Sequence, residues 1–113
     1  MTQILKKSIP ALNIRVGHQA RELILKEGLQ AHHVDTIPGA AGGPKGIGLT
    51  GLDQAIFGDF LSQAKQRRFL IGSSVGAWRF AGIVAQGEKK GPEKLAELYT
   101  HLPFHKKNEN CRY

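Results

Sequence analysis

Cysteine is all but absent: Cys111 stands alone in 113 residues, so no intramolecular disulfide can form and a reducing, cytoplasmic setting is expected. Long apolar runs are missing too. No stretch approaches the ~18 residues that a membrane-spanning helix requires, and Lys6-Lys7 is followed by Ser8-Ile9-Pro10 instead of the apolar core of a signal peptide. A soluble protein is the expectation. Acids are scarce, nine Asp and Glu against sixteen Lys and Arg, leaving a net charge of +7. Such an excess suits anionic lipid surfaces, phosphate-bearing substrates or nucleic acid. The cations come as scattered pairs, Lys6-Lys7, Arg67-Arg68, Lys89-Lys90 and Lys106-Lys107, with no aromatics between them. They are read as solvated surface, and no nucleic acid partner is expected.

The length permits one domain with a modest core and is too short for a complete large hydrolase sheet. Residues 1–12 carry little pattern and read as a lead-in; residues 13–102 carry the domain; residues 103–113 form a polar tail. Asn13-Ile14-Arg15-Val16 alternates like a short strand, ended by Gly17. Ala20, Leu23, Ile24 and Glu27 follow helical spacing, with Gly28 placed as a left-handed cap and Leu29 able to fold back on the last turn. His32 and His33 fall in the turn beyond and read as an exposed linker instead of ligands, so no metal site is expected.

Glycine is plentiful, 14 residues, and two clusters of it matter. Val34 to Pro38 leans toward a strand and runs into Gly39-Ala40-Ala41-Gly42-Gly43-Pro44-Lys45-Gly46, whose small side chains let a ligand approach the backbone N–H groups. A helix follows: Thr50 with Asp53 three residues later has the spacing of a capping box, and Leu49, Leu52, Ile56 and Phe60 mark its buried stripe. Three readings compete for the loop. A Walker phosphate loop needs Gly-Lys followed by Ser or Thr, whereas Pro44 precedes Lys45 and Gly46 follows it. Gly46-Ile47-Gly48-Leu49-Thr50-Gly51 satisfies the dinucleotide fingerprint, but the acid expected about twenty residues on is replaced by Ile71 and Gly72, so no cofactor is expected. The third reading is an oxyanion hole. Pro44 has no N–H, so its donors would be Gly42, Gly43 or Lys45.

The second cluster is Phe69-Leu70-Ile71-Gly72-Ser73-Ser74-Val75-Gly76-Ala77-Trp78, an apolar run ending in G-x-S-x-G. It reads as strand, tight turn and helix with Ser74 at the apex, a catalytic nucleophile whose hydroxyl stands clear of the backbone. Such a turn crowds strand against helix, so the positions two before and two after must lack a side chain, as Gly72 and Gly76 do. The amide of Val75 is the usual oxyanion donor from the elbow side. Lys45 holds the loop or attracts a phosphate-bearing substrate, or is a plain surface lysine.

Gly39 to Gly46, Leu52-Asp53-Gln54-Ala55-Ile56-Phe57-Gly58 and Ile71 to Arg79 together resemble the bacterial branch of the patatin-like phospholipase family. That family carries a G-G-x-(R/K)-G oxyanion loop ahead of a G-x-S-x-G elbow, in this order and about this far apart. The likeness runs from about Ile14 to His101. It implies an α/β fold, here a partial α/β/α sandwich with a small parallel sheet, and an acyl hydrolase with a Ser-Asp dyad. Ser74 would attack a lipid or acyl ester substrate, with peripheral membrane contact as the setting.

The family's base is the Asp of a D-G-(G/A) motif downstream of the elbow. Here Asp35, Asp53 and Asp59 all precede Ser74 and none is followed by Gly. His101 and His105 follow the elbow, with Glu88, Glu93, Glu97 and Glu109 available to orient them. Yet Gly91-Pro92 opens a helix with Leu95, Leu98, Tyr99 and Leu102 on one face and Pro103 closing it, so His101 belongs to a packing helix. The chain is therefore expected to be the N-terminal piece of a longer enzyme, inactive alone. The alternative is a non-enzymatic remnant that binds lipid headgroups or an acidic partner.

Overall fold

The structure, a computed structural model, describes residues 10–101. The polar tail, with His105 and Cys111, and most of the lead-in lie outside the described residues. Contacts group the chain into two units, Met1–Gln30 and Ala31–Tyr113, and both glycine motifs belong to the second.

In the first unit, Asn13 to Val16 is irregular and not the strand its alternation predicts. Alternation makes a strand only where a neighbour offers a ladder, and the sheet among the described residues uses other segments. Ile14 is 60% exposed. The predicted helix forms as α1, His18–Glu27, capped where Gly28 N–H donates to Ile24 O at 2.8 Å, with none of its residues buried.

The second unit begins with a 3-10 turn at Ala31–His33, where the rings of His32 and His33 meet in a T-shaped arrangement with centroids 4.3 Å apart. Strand β1, Thr36–Gly39, follows two residues later than Val34 would start it. Next comes one helical run in four modes: a 3-10 stretch Gly43–Leu49, α2 Thr50–Asp53, a π-helical stretch Gln54–Phe60, and a last 3-10 turn Leu61–Gln63. It returns the chain to β2, Phe69–Gly72, which pairs parallel with β1 in the register Thr36↔Phe69 to Gly39↔Gly72. Strand, helical crossover and parallel strand form the unit that parallel pairing demands. Two long helices complete it, α3 Val75–Gln86 and α4 Lys90–Thr100.

The second unit is thus a small α/β domain, and its two-stranded sheet has one covered face. Ile37, Gly39, Leu70 and Gly72 point toward α3, where a β-carbon on Gly39 would meet the Phe80 ring at 2.8 Å. The opposite face, Thr36, Pro38, Phe69 and Ile71, is exposed, Phe69 and Ile71 by 62% and 63%. The core is correspondingly modest: Ala31, Leu61, Val75, Phe80 and Ile83 are its buried apolar residues. Phe57 tilts against Phe80 with ring centroids 5.9 Å apart. Helices α3 and α4 pack through glycine, and a β-carbon on Gly91 would lie 2.6 Å from the carbonyl carbon of Gly82.

Several local expectations are corrected by tertiary partners. The capping box does not form: Thr50 Oγ1 donates to Ile47 O at 2.7 Å, while Asp53 is buried against Arg79. The stripe Leu49, Leu52, Ile56 and Phe60 is half-buried, and Leu61 carries the burial of that run. On α4, Leu95 and Tyr99 are half-buried but Leu98 is 56% exposed; Leu102 lies outside the described residues. Arg68 is not plain solvated surface, because its Nε and Nη2 donate to Val34 O and Ala31 O, both at 2.9 Å.

Candidate functional site

Parallel strands in register deliver their following turns to the same edge of the sheet. Gly39 and Gly72 are partners at the last rung, so the glycine loop leaves β1 beside the point where Ser73-Ser74 leaves β2. Ser73 N–H extends the ladder by donating to Gly39 O at 3.0 Å. The turn is then closed by Gly76 N–H to Ser73 O at 3.0 Å, and by Ala77 and Trp78 N–H groups to Ser74 O at 3.0 and 3.2 Å.

Ser74 sits at the apex with φ 52° and ψ −122°, the one non-glycine with positive φ among the described residues. This region is sparsely populated for L-residues and costs about 1–3 kcal/mol, sustained only where the surroundings enforce it. The enforcement is visible on both sides. A β-carbon on Gly72 would lie 2.6 Å from Gly76 C, and one on Gly76 would fall 2.5 Å from Gly39 C. Strand and helix therefore approach at a distance only glycine allows, and Ser74, exposed, takes the bend. Val75 opens α3, where the first N–H groups of a helix have no intrahelical acceptor.

The loop meets this elbow at Gly46 and Val75. Gly46 is buried, and a β-carbon there would lie 2.6 Å from Val75 Cγ2. An open cleft of about 450 Å³ lies between them, lined by Pro38, Gly39, Ala40, Ala41, Gly42, Lys45, Gly46, Leu49, Val75 and Arg79. Gly42, Lys45, Gly46 and Val75 of the predicted set thus share one cavity, while Ser74 and Gly43 do not line it. Gly43 has φ 53° and lies on the side of Tyr99, whose hydroxyl would be 4.0 Å from a β-carbon there. The amide of Lys45 leaves the donor set, because it closes a turn by donating to Gly42 O at 3.2 Å. The Lys45 side chain is exposed.

The candidate bases are held elsewhere. Asp53 is 3% exposed at its side chain, and both of its oxygens accept from Arg79, Oδ2 from Nε at 2.7 Å and Oδ1 from Nη2 at 2.6 Å. Asp59 accepts from Lys89 Nζ at 3.2 Å. Asp35 is exposed and accepts from Gln66 Nε2 at 3.3 Å. The His101 ring is tied to the end of its own helix, with Nδ1 donating to Glu97 O at 2.7 Å.

The Asp53–Arg79 pair has no counterpart in the local patterns. The hydrogen bonds that Arg79 donates to Asp53 raise its guanidinium above the ordinary arginine range, and burial works in the opposite sense. A signal for it was present in Val75 to Gln86, where Arg79 is the only charged residue in an otherwise apolar helix. A lone charge in such a helix needs a partner.

Among the described residues no helix is long and apolar enough to cross a membrane. No family model matches the chain, and no curated protein or solved structure matches it.

Proposed function

We propose that the chain carries the nucleophile and the anion-stabilising amides of a serine acyl hydrolase acting on lipid or acyl esters, of the patatin-like kind that its two motifs resemble. The observation that carries this reading is the backbone of Ser74, bent to φ 52° between β2 and α3. Strain at the apex of a strand–turn–helix serves to present a hydroxyl.

In this reading Ser74 Oγ attacks the acyl carbonyl carbon as its proton passes to a base, and the carbonyl electron pair moves onto oxygen. The N–H groups of Gly42, Gly43 and Val75 hold that oxyanion, a type of contact worth about 10²–10³ in rate per donor. Collapse expels the alcohol, which takes the proton, and water then releases the acid from the acyl-serine. Lys45 and Gly46 shape the loop, Gly72 and Gly76 the elbow. Asp53 is committed to Arg79 and residues 75–113 hold no Asp, so this reading assigns no base within residues 1–113. A serine hydroxyl without a base is a poor nucleophile, so slow turnover of p-nitrophenyl esters is expected from residues 1–113.

The net charge of +7 and the exposed Lys45 favour a second reading, a module that binds lipid headgroups or an acidic partner without chemistry. One experiment separates the two. A fluorophosphonate probe should label Ser74 slowly, with no labelling of Ser74→Ala and slower labelling of Gly43→Ala. A folded wild-type chain that labels no faster than Ser74→Ala would leave only the binding reading.

A further inference from the structure

Two rods frame the cleft: the helical run that begins at Gly43 and continues into α2, and α3, which begins at Val75. The first carries the loop amides at its head, the second the elbow. Their separation is set where Gly46 meets Val75. That contact is apolar and non-directional, as is the packing of the Phe57 ring against Phe80 further along. The directional link is Asp53 to Arg79, ten residues along the first rod from Gly43 and five along the second from Ser74. It is bidentate and buried, with side chains 3% and 12% exposed, and Arg79 also lines the cleft. Two parallel N–H···O bonds between planar groups fix direction as well as distance.

We infer that the Asp53–Arg79 fork is a positioning pair for the reaction at Ser74: it holds the amides of Gly42 and Gly43 at the angle that Ser74 and Val75 require. This rests on the hydrolase reading. A pair kept only as structural glue would be replaceable, because buried ion pairs exchanged for apolar residues of similar volume often leave stability unchanged or improved. A pair kept for geometry would not. Lysine at position 79 would keep the charge and lose the fork.

The test uses the full chain as wild type, Arg79→Lys, and the double variant Asp53→Leu with Arg79→Met. Circular dichroism and thermal midpoint report folding, a fluorophosphonate probe reports Ser74, and amide ¹H–¹⁵N resonances report Gly42, Gly43 and Val75. The expected result is that both variants fold and label at least tenfold more slowly, since misplacement by about 1 Å can cost 10²-fold. The Gly42, Gly43 and Val75 resonances should move while those of Ile37 and Leu70 stay. A folded double variant that labels at the wild-type rate with unmoved amides overturns the positioning role and leaves the hydrolase reading standing. Arg79→Lys decides alone if the double variant does not fold. A wild type that labels no faster than Ser74→Ala fails one step earlier, taking the hydrolase reading and the pair's catalytic role together.

Discussion

Gly76 lies against the carbonyl group of Gly39, so close that a β-carbon at position 76 would fall 2.5 Å from the Gly39 carbonyl carbon. The first turn of α3 thus touches the last residue of β1, backbone on backbone. A flexible side chain could yield to an added methyl, but two main chains, each held in regular structure, cannot.

Gly76→Ala should therefore cost about 3 kcal/mol, the upper end for overpacking. Gly51→Ala is the control. Nothing lies within 4 Å of a β-carbon there and the residue is helical, so it should stabilise by about 0.5–1 kcal/mol. Urea unfolding measures both, and equal midpoints would show that the approach of α3 to β1 is looser than described.

The bend at Ser74 predicts an asymmetry between two small substitutions. Ser74→Gly should raise stability by about 1 kcal/mol, because glycine adopts φ 52° without penalty, whereas Ser74→Ala keeps the strain and should stay within about 0.5 kcal/mol of wild type. Thermal unfolding of the pair decides it; a Gly variant no more stable than the Ala variant means that the turn relaxes in solution.

Phe69 and Ile71 stand on the uncovered sheet face, so replacing both by Thr removes apolar surface already in water. The double substitution should change stability by about 1 kcal/mol or less and lower light scattering at high protein concentration. A collapse of the thermal midpoint would mean that this face is covered in solution.

Arg79 sets the sign of one pH effect. Its folded value is raised, chiefly by the hydrogen bond to Asp53, so its stabilising contribution is complete below the unfolded value and is lost only as pH climbs through the folded one. From about pH 7 to about pH 10, the arginine keeps its proton in both states. The difference in thermal midpoint between wild type and the Asp53→Leu, Arg79→Met variant should stay flat over that interval. A slope there would show that Arg79 exchanges a proton on unfolding.

The legible parts of the chain were those governed by local steric rules. The demand for Gly72 and Gly76 around Ser74 follows from the crowding of any strand–turn–helix, and the structure meets it as written. Helix α1 followed from spacing and Gly28. Illegible were features that depend on a distant partner. Asn13 to Val16 alternates but is not part of the sheet among the described residues, and Asp53 has capping spacing but is claimed by an arginine 26 residues away. The amide of Lys45 is a candidate donor by sequence, yet a turn that no local pattern signals commits it to Gly42 O. Arg68 read as half of a surface pair, while in fact its guanidinium gathers two carbonyls ahead of β1.

That guanidinium has a wider effect. By tying Ala31 and Val34 to the residue that leads into β2, Arg68 joins Gln66 and the Phe69 amide in holding the register, and a slip of one rung would move one turn by about 3.3 Å relative to the other. It would also reverse the faces of the slipped strand. The alignment of glycine loop and serine thus depends on contacts at the far end of the ladder as well as on those at the cleft itself.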